Sequence, residues 1–138
     1  MAYQISEKTS SSWVATAPGR ERVLVVDDDP HFRVLVRAIL EPEGFQILES
    51  ESMENCLAQL RRHSVEAVIL DMVMPGGDGI EAVRQMKRQF PAVRILTVSG
   101  ADRSDLYLSL SAHLGADASL EKSRISALSP LLQVVLDR

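Results

Sequence analysis

The chain has 138 residues, 46% of them hydrophobic and 25% charged, with a formal net charge of -4. That length fits one domain with a buried core. The mildly acidic balance offers no basic stripe for nucleic acid, and no apolar run approaches the roughly 20 residues a membrane span needs. The single cysteine, Cys56, excludes an internal disulfide or a cysteine-based metal cluster and suits a small hydrophobe packed on a helix. With no signal-peptide pattern at the N-terminus, the expectation is a cytoplasmic protein that touches neither membrane nor nucleic acid.

Residues 1–20 are rich in Ser and Thr, lack periodicity and end in Ala-Pro-Gly-Arg, which reads as a flexible extension before a domain over residues 21–138. Trp13 reads as an exposed tail residue. A strand pattern, Val23 to Val26, runs directly into Asp27-Asp28-Asp29-Pro30. Pro30 suits the first position of a helix, which makes Asp29 its N-cap and leaves Asp27 and Asp28 without a structural role. Phe32, Leu35, Val36, Ile39 and Leu40 follow at helical spacing, and Pro42 and Gly44 stop that helix. Phe45 to Glu49 reads as a second strand. Ser52 then caps a helix whose apolar face holds Met53, Cys56 or Leu57, and Leu60.

The third strand, carried by Val65, Val68, Ile69 and Leu70, reads as buried on both faces, and its apolar run from Ala67 delivers Asp71 to a loop containing Pro75, Gly76, Gly77 and Gly79. Asp78 can cap the next helix, with Glu81 placed for a capping box and Ile80, Val83, Met86 and Phe90 on its apolar face. Pro91 breaks the chain before a fourth strand, Arg94 to Ser99. A helix from Ser104 to His113 bears Leu106, Leu110 and Leu114 and ends at Gly115. A short strand, Ala118 to Leu120, leads to Glu121-Lys122, and Ser129-Pro130 opens a last helix through Leu131, Leu132, Val135 and Leu136. His31 reads as solvated on the first helix turn, and His63 and His113 as dipole contacts near helix ends.

Five alternations of strand and helix, joined by right-handed crossovers, give a parallel five-stranded sheet sandwiched by helices. Residues that follow the strands gather along one edge of such a sheet, where open α/β folds hold their ligands. Asp27, Asp28, Asp71, Ser99 and Lys122 all end or follow strands. Taken singly, Asp71 also suits a strand-end turn, Ser99 a polar strand end and Lys122 a solvated surface charge. Grouped, they require an account of the repulsion between acids, about 4 kcal/mol for two unit charges roughly 4 Å apart at an effective dielectric near 20. A divalent cation removes that cost. Asp28 and Asp71 as direct ligands, Asp27 through water and the backbone carbonyl of Val73 suit Mg2+, which prefers oxygen and keeps several waters. A cation beside a carboxylate, with a lysine and a hydroxyl opposite, matches the needs of phosphoryl transfer: Asp71 attacks, Lys122 holds the phosphoryl oxygens and Ser99 donates a hydrogen bond.

Four blocks in order, Val-Val-Asp-Asp-Asp-Pro (25–30), Leu-Asp-Met-Val-Met-Pro-Gly-Gly-Asp-Gly (70–79), Val-Ser-Gly-Ala (98–101) and Gly-Ala-Asp-Ala-Ser-Leu-Glu-Lys (115–122), make the chain from about Arg22 onward resemble the receiver domains of two-component response regulators, similar to chemotaxis-type single-domain receivers. The resemblance implies a flavodoxin-like, doubly wound α/β fold with strand order 2-1-3-4-5 and five helices. It implies Asp71 as phosphoacceptor, Asp27 and Asp28 as the acidic pocket, Ser99 and Lys122 as phosphate contacts and Mg2+ as cofactor. The phosphate would come from a sensor histidine kinase or a histidine phosphotransfer protein. The downstream protein partner is unspecified, and a phosphorylation-dependent homodimer is among the forms the output could take. Such a chain is a signalling phosphoacceptor that assists its own phosphotransfer and dephosphorylation, not a conventional enzyme.

Departures from the family pattern carry their own expectations. Ser123 stands where the lysine is usually followed by a cis proline, and a cis Lys-Ser bond would cost about 2.5 to 4 kcal/mol, so a trans bond and a differently placed Lys122 are expected. Ser119 occupies the switch position that is commonly aromatic, which moves the expected activated change to the loops after strands four and five. Val73 and Ala101 are apolar where polar groups often help to position the hydrolytic water, which implies a slowly decaying aspartyl phosphate. Two other readings exist. In a haloacid-dehalogenase-like phosphatase, Asp27-Asp28-Asp29 would supply the Asp-x-Asp, but the acidic pair expected after the lysine is missing and Asp71 has no role. In a non-phosphorylated interaction module, Ser119 and Ser123 would mark the lost switch.

Overall fold

The computed structural model describes residues 21–74, 79–100 and 104–137. The expected extension with Trp13, the cap at Asp78, and Ala101 lie outside them. Five parallel strands, β1 (Arg22–Val26), β2 (Gln46–Ser50), β3 (Ala67–Asp71), β4 (Arg94–Ser99) and β5 (Ala118–Glu121), form one sheet in the order β2-β1-β3-β4-β5. Helices α1 (Pro30–Leu40), α2 (Met53–Arg62), α3 (Gly79–Gln89), α4 (Ser104–His113) and α5 (Leu128–Val135) connect and follow them. The α/β flavodoxin-like fold and strand order agree with expectation. No helix among the described residues is long and apolar enough to cross a membrane.

The period-2 alternation of the strands sorts the core into two layers. Val23, Val25, Ile69, Leu96, Val98 and Leu120 pack with α1 and α5, whereas Leu24, Val26, Val68, Leu70 and Ile95 pack with α2 and α3. β3 is buried along its whole length, as its unbroken apolar run requires.

Local signals set most element ends. The Asp29 side chain accepts a hydrogen bond from the His31 amide at 2.9 Å, and Pro30 follows at the first helical position. The Ser52 hydroxyl accepts from the Asn55 amide at 3.1 Å to start α2. α1 closes through a 3-10 turn, Glu41–Glu43, onto Gly44 at φ +98°, a left-handed position that favours glycine. The second strand begins and ends one residue later than its apolar pattern suggests. The last helix begins at Leu128 after a 3-10 segment, Lys122–Ala127, so Pro130 sits within its first turn, where an amide proton would lack an intrahelical partner anyway.

Two apolar stripes differ from expectation. Leu35 is 42% exposed because the buried face of α1 runs through Phe32, Val36 and Leu40. On α4, Leu106 and Leu110 are 48% and 37% exposed. The inward face of that helix holds Tyr107, Ser111 and Leu114, with Ser111 fully buried. A serine on the core side shifted the apparent stripe.

Candidate functional site

Strand register places the site. Val26 of β1 pairs with Leu70 of β3, so the next residues, Asp27 and Asp71, stand side by side. Asp71 pairs with Val98, one residue before Ser99, and Ser99 pairs with Glu121, one residue before Lys122. Four strand ends therefore deliver their polar residues to one edge of the sheet.

Asp27 and Asp71 are buried and Asp28 is exposed. One carboxylate oxygen from each of the three lies within 4.8 Å of the others. Lys122 Nζ stands 2.6 Å from Asp27 Oδ2 and 3.6 Å from Asp71 Oδ2. Asp27 Oδ2 is buried, and its contact with Lys122 is a close ion pair. Among the described residues all peptide bonds are trans, including Lys122–Ser123. The trans bond agrees with expectation, and with it the Lys122 ammonium reaches both acids.

Burial raises the Asp71 pKa to about 6; the Val73 amide, which donates to Oδ1 at 3.1 Å, and Lys122 oppose the rise, while Asp27 and Asp28 add to it. Asp71 is thus a carboxylate at neutral pH, yet more basic than an ordinary aspartate. Burial works against the charge on Lys122, but contact with Asp27 and the field of Asp71 outweigh it and raise its pKa. The Ser99 hydroxyl is fully buried at the end of β4 and has no hydrogen-bond partner among the described residues. Val73 engages Asp71 through its amide, and its side chain is 37% exposed.

Ser119 does not act alone. Its hydroxyl lies 3.0 Å from Thr97 Oγ1 and 3.2 Å from Ser111 Oγ, and the Thr97 and Ser111 hydroxyls are 2.7 Å apart. Ser111 also donates to the Leu108 carbonyl at 2.8 Å. A neutral cluster of hydroxyls thus fills the space between β4, β5 and α4.

The contributions of four residues escaped the sequence reading. Arg33 donates through Nη1 to the Asp27 carbonyl at 2.6 Å and through Nε to Glu49 at 2.9 Å, which pins the acidic loop to β2. Arg37 holds the other oxygen of Glu49 at 2.8 Å, and these arginines keep the Glu49 carboxyl below its usual pKa. Gly100 leaves room for the lysine stem, since a Cβ there would lie 3.0 Å from Lys122 Cδ. Phe32 places its ring beneath the Lys122 ammonium, 4.4 Å from the centroid. None is an unusual residue in its local sequence, so only long-range contacts reveal them.

The family model described as "Response regulator receiver domain" matches residues 23–132. The KDP operon transcriptional regulatory protein KdpE of Escherichia coli (strain K12) is 36% identical over 118 residues, which cover 84% of this chain and 51% of KdpE. Transcriptional regulatory protein AruR of Pseudomonas aeruginosa is 39% identical over 101 residues, covering 70% of this chain and 41% of AruR. The chain thus spans about half or less of these relatives. The response regulator protein TrrA from Thermotoga maritima, solved in complex with Mg2+ and BeF, superposes with a TM-score of 0.72 at 30% identity over 84% of this chain and 99% of TrrA. With the acids, the lysine and the strand order falling where the matched sequence runs, this chain belongs to the response regulator receiver domains of two-component systems.

Proposed function

We propose that Asp71 accepts a phosphoryl group from a phosphohistidine on a sensor histidine kinase or histidine phosphotransfer protein. The supporting observation is the single ammonium of Lys122 reaching Asp27 and Asp71 at once, within a three-carboxylate cluster. An Asp71 oxygen forms a bond to phosphorus as the P–N bond to the donor imidazole breaks. The imidazole nitrogen leaves with the bonding pair and takes up a proton. Lys122 neutralises charge on the phosphoryl oxygens, and the Ser99 hydroxyl, which has no hydrogen-bond partner among the described residues, donates to one of them. The hard oxygen donors of this cluster fit Mg2+: Asp28 and Asp71 would bind directly, Asp27 through water and Val73 through its carbonyl. When bound, the ion would offset the negative charge that accumulates on the transferring group.

The chain is then a cytoplasmic signalling phosphoacceptor that assists its own phosphotransfer and dephosphorylation. The phosphorylated state shifts a conformational equilibrium that controls binding to a protein partner, including a second copy of the receiver. With Ser119 in a hydroxyl cluster, the change falls on the loops after β4 and β5 rather than on an aromatic side chain. Apolar side chains at Val73 and Ala101 leave the hydrolytic water poorly positioned, so the aspartyl phosphate persists well beyond seconds.

Incubation with a radiolabelled phosphoramidate and Mg2+ tests the reading. Label approaching one equivalent, absent from Asp71→Asn, is expected. Full labelling of Asp71→Asn would overturn it. Turnover of a generic phosphate ester would favour the phosphatase, and failure of Mg2+ and beryllofluoride to alter the spectrum would favour the unphosphorylated module.

A further inference from the structure

Lys122 reaches the acids without the cis bond that would aim its backbone, so other contacts must aim its side chain. Asp27 supplies one, at 2.6 Å. Asp27 is claimed twice, however, by the lysine and by any cation the acid cluster holds. A second contact has no competing claim. Phe32 lies on the buried face of α1, 6% exposed, and the Lys122 ammonium stands 4.4 Å over its ring centroid. Opposite, the bare Cα of Gly100 leaves a slot for the lysine stem: an added Cβ would come within 3.0 Å of Lys122 Cδ and 3.3 Å of its Cβ. The stem is confined by Gly100, and the head is drawn to the ring face.

We propose that Phe32 is a positioning residue for phosphoryl transfer to Asp71, holding the Lys122 ammonium by cation–π attraction; this role rests on the phosphoacceptor reading above. The negative face of an aromatic ring attracts a cation within about 6 Å of its centroid. It does so without carrying a formal charge, so the ring itself cancels none of the positive charge that incoming phosphoryl oxygens would meet. A carboxylate in the same place would cancel that charge and repel the phosphoryl group. Leucine would fill much of the same core volume but has no quadrupole to offer. The ring is also rigidly seated: Phe32 packs in the same core layer as Val36, Leu96, Val98 and Leu120, so it cannot follow the ammonium if the lysine swings out.

The test combines a rate with a structural probe. Phe32 is replaced by Leu, by Tyr and by mono-, di- and trifluorophenylalanine, which weaken the quadrupole stepwise with little change in shape. Labelling by phosphoramidate is timed at saturating donor and Mg2+. The rate constant is expected to fall about three- to tenfold in Phe32→Leu, to stay within about twofold in Phe32→Tyr and to drop progressively with fluorination. In the unphosphorylated wild-type protein the Lys122 ε-methylene protons should be displaced upfield by the ring current, and Phe32→Leu should remove that displacement. A flat rate across the fluorinated series, or ε-methylene protons at ordinary positions, overturns the Phe32 role while phosphorylation of Asp71 stands. A wild-type protein that takes no label removes the reaction itself, and this role with it.

Discussion

Helices α1 and α4 lie on opposite faces of the sheet and are held by different forces. α1 buries Phe32, Val36 and Leu40 and is tied to β2 through Arg33, Arg37 and their shared partner Glu49. α4 turns Ser111 inward, seats it among hydroxyls, and leaves Leu106 and Leu110 largely outside. Apolar burial of a large side chain contributes about 1.5 to 3 kcal/mol, whereas a neutral hydrogen bond contributes about 1 kcal/mol net. The expectation is that α1 anchors the acidic edge, while α4, which adds only the partly buried Tyr107 and Leu114 beside its hydroxyl contacts, opens at smaller cost. On that expectation α1 is the anchored side of the molecule and α4 the responsive one, in the sense of opening more readily.

The largest expected effect tests the anchor. Leu40→Ala should lower the unfolding free energy in urea by about 2 to 5 kcal/mol, because Leu40 is fully buried and its removal leaves a cavity. A loss below 1 kcal/mol would make α1 no firmer than α4. Next comes the acid edge between them. Asp71 has its folded-state pKa raised from 3.8 to about 6, so the stability linked to its proton is complete below pH 3.8 and is lost as pH rises through 6. In buffer free of divalent cations, Asp71→Asn should exceed the wild type by about 1 to 3 kcal/mol at pH 7.5. That advantage should vanish below pH 3.8. An equal advantage at all pH values would mean that burial does not strain the acid.

Ser111→Ala tests the responsive side. It removes the contacts to Thr97, Ser119 and the Leu108 carbonyl but leaves Thr97 and Ser119 bonded to each other, so a loss of about 1 kcal/mol is expected. Amide exchange should quicken along α4 and stay unchanged along α1. Uniform quickening would show that the two helices open together. Smallest of all, Arg37→Ala should cost less than about 1 kcal/mol, and less still in high salt, because its ion pairs with Glu41 and Glu49 are partly exposed.

The contrast between the helices also explains what could be read in advance. Asp27, Asp71, Ser99 and Lys122 were visible because each interrupts an apolar strand at its end, and parallel pairing then forces those ends together. Asp29 and Ser52 were visible because N-caps act on amides two or three residues away. The inner face of α4 was not visible. Ser111 reads as a surface residue until Thr97 and Ser119, which belong to different strands, satisfy its hydroxyl. Phe32 was recognised as core, but its contact with Lys122 spans most of the chain. Arg33 could not be singled out, because one of its partners is a backbone carbonyl, which carries no sequence signature.

Gly79, the first residue of α3, meets Met72 so closely that a Cβ would fall 2.5 Å from the Met72 carbonyl oxygen and 2.9 Å from its Cα. The chain thus returns, at Gly79, to the backbone it left just after Asp71, like a drawstring pulled shut. Widening the knot itself, as Gly79→Ala would, pushes on the peptide beside Asp71. What the fold fixes here is the crossing itself, where two stretches of backbone meet too closely for any side chain at residue 79.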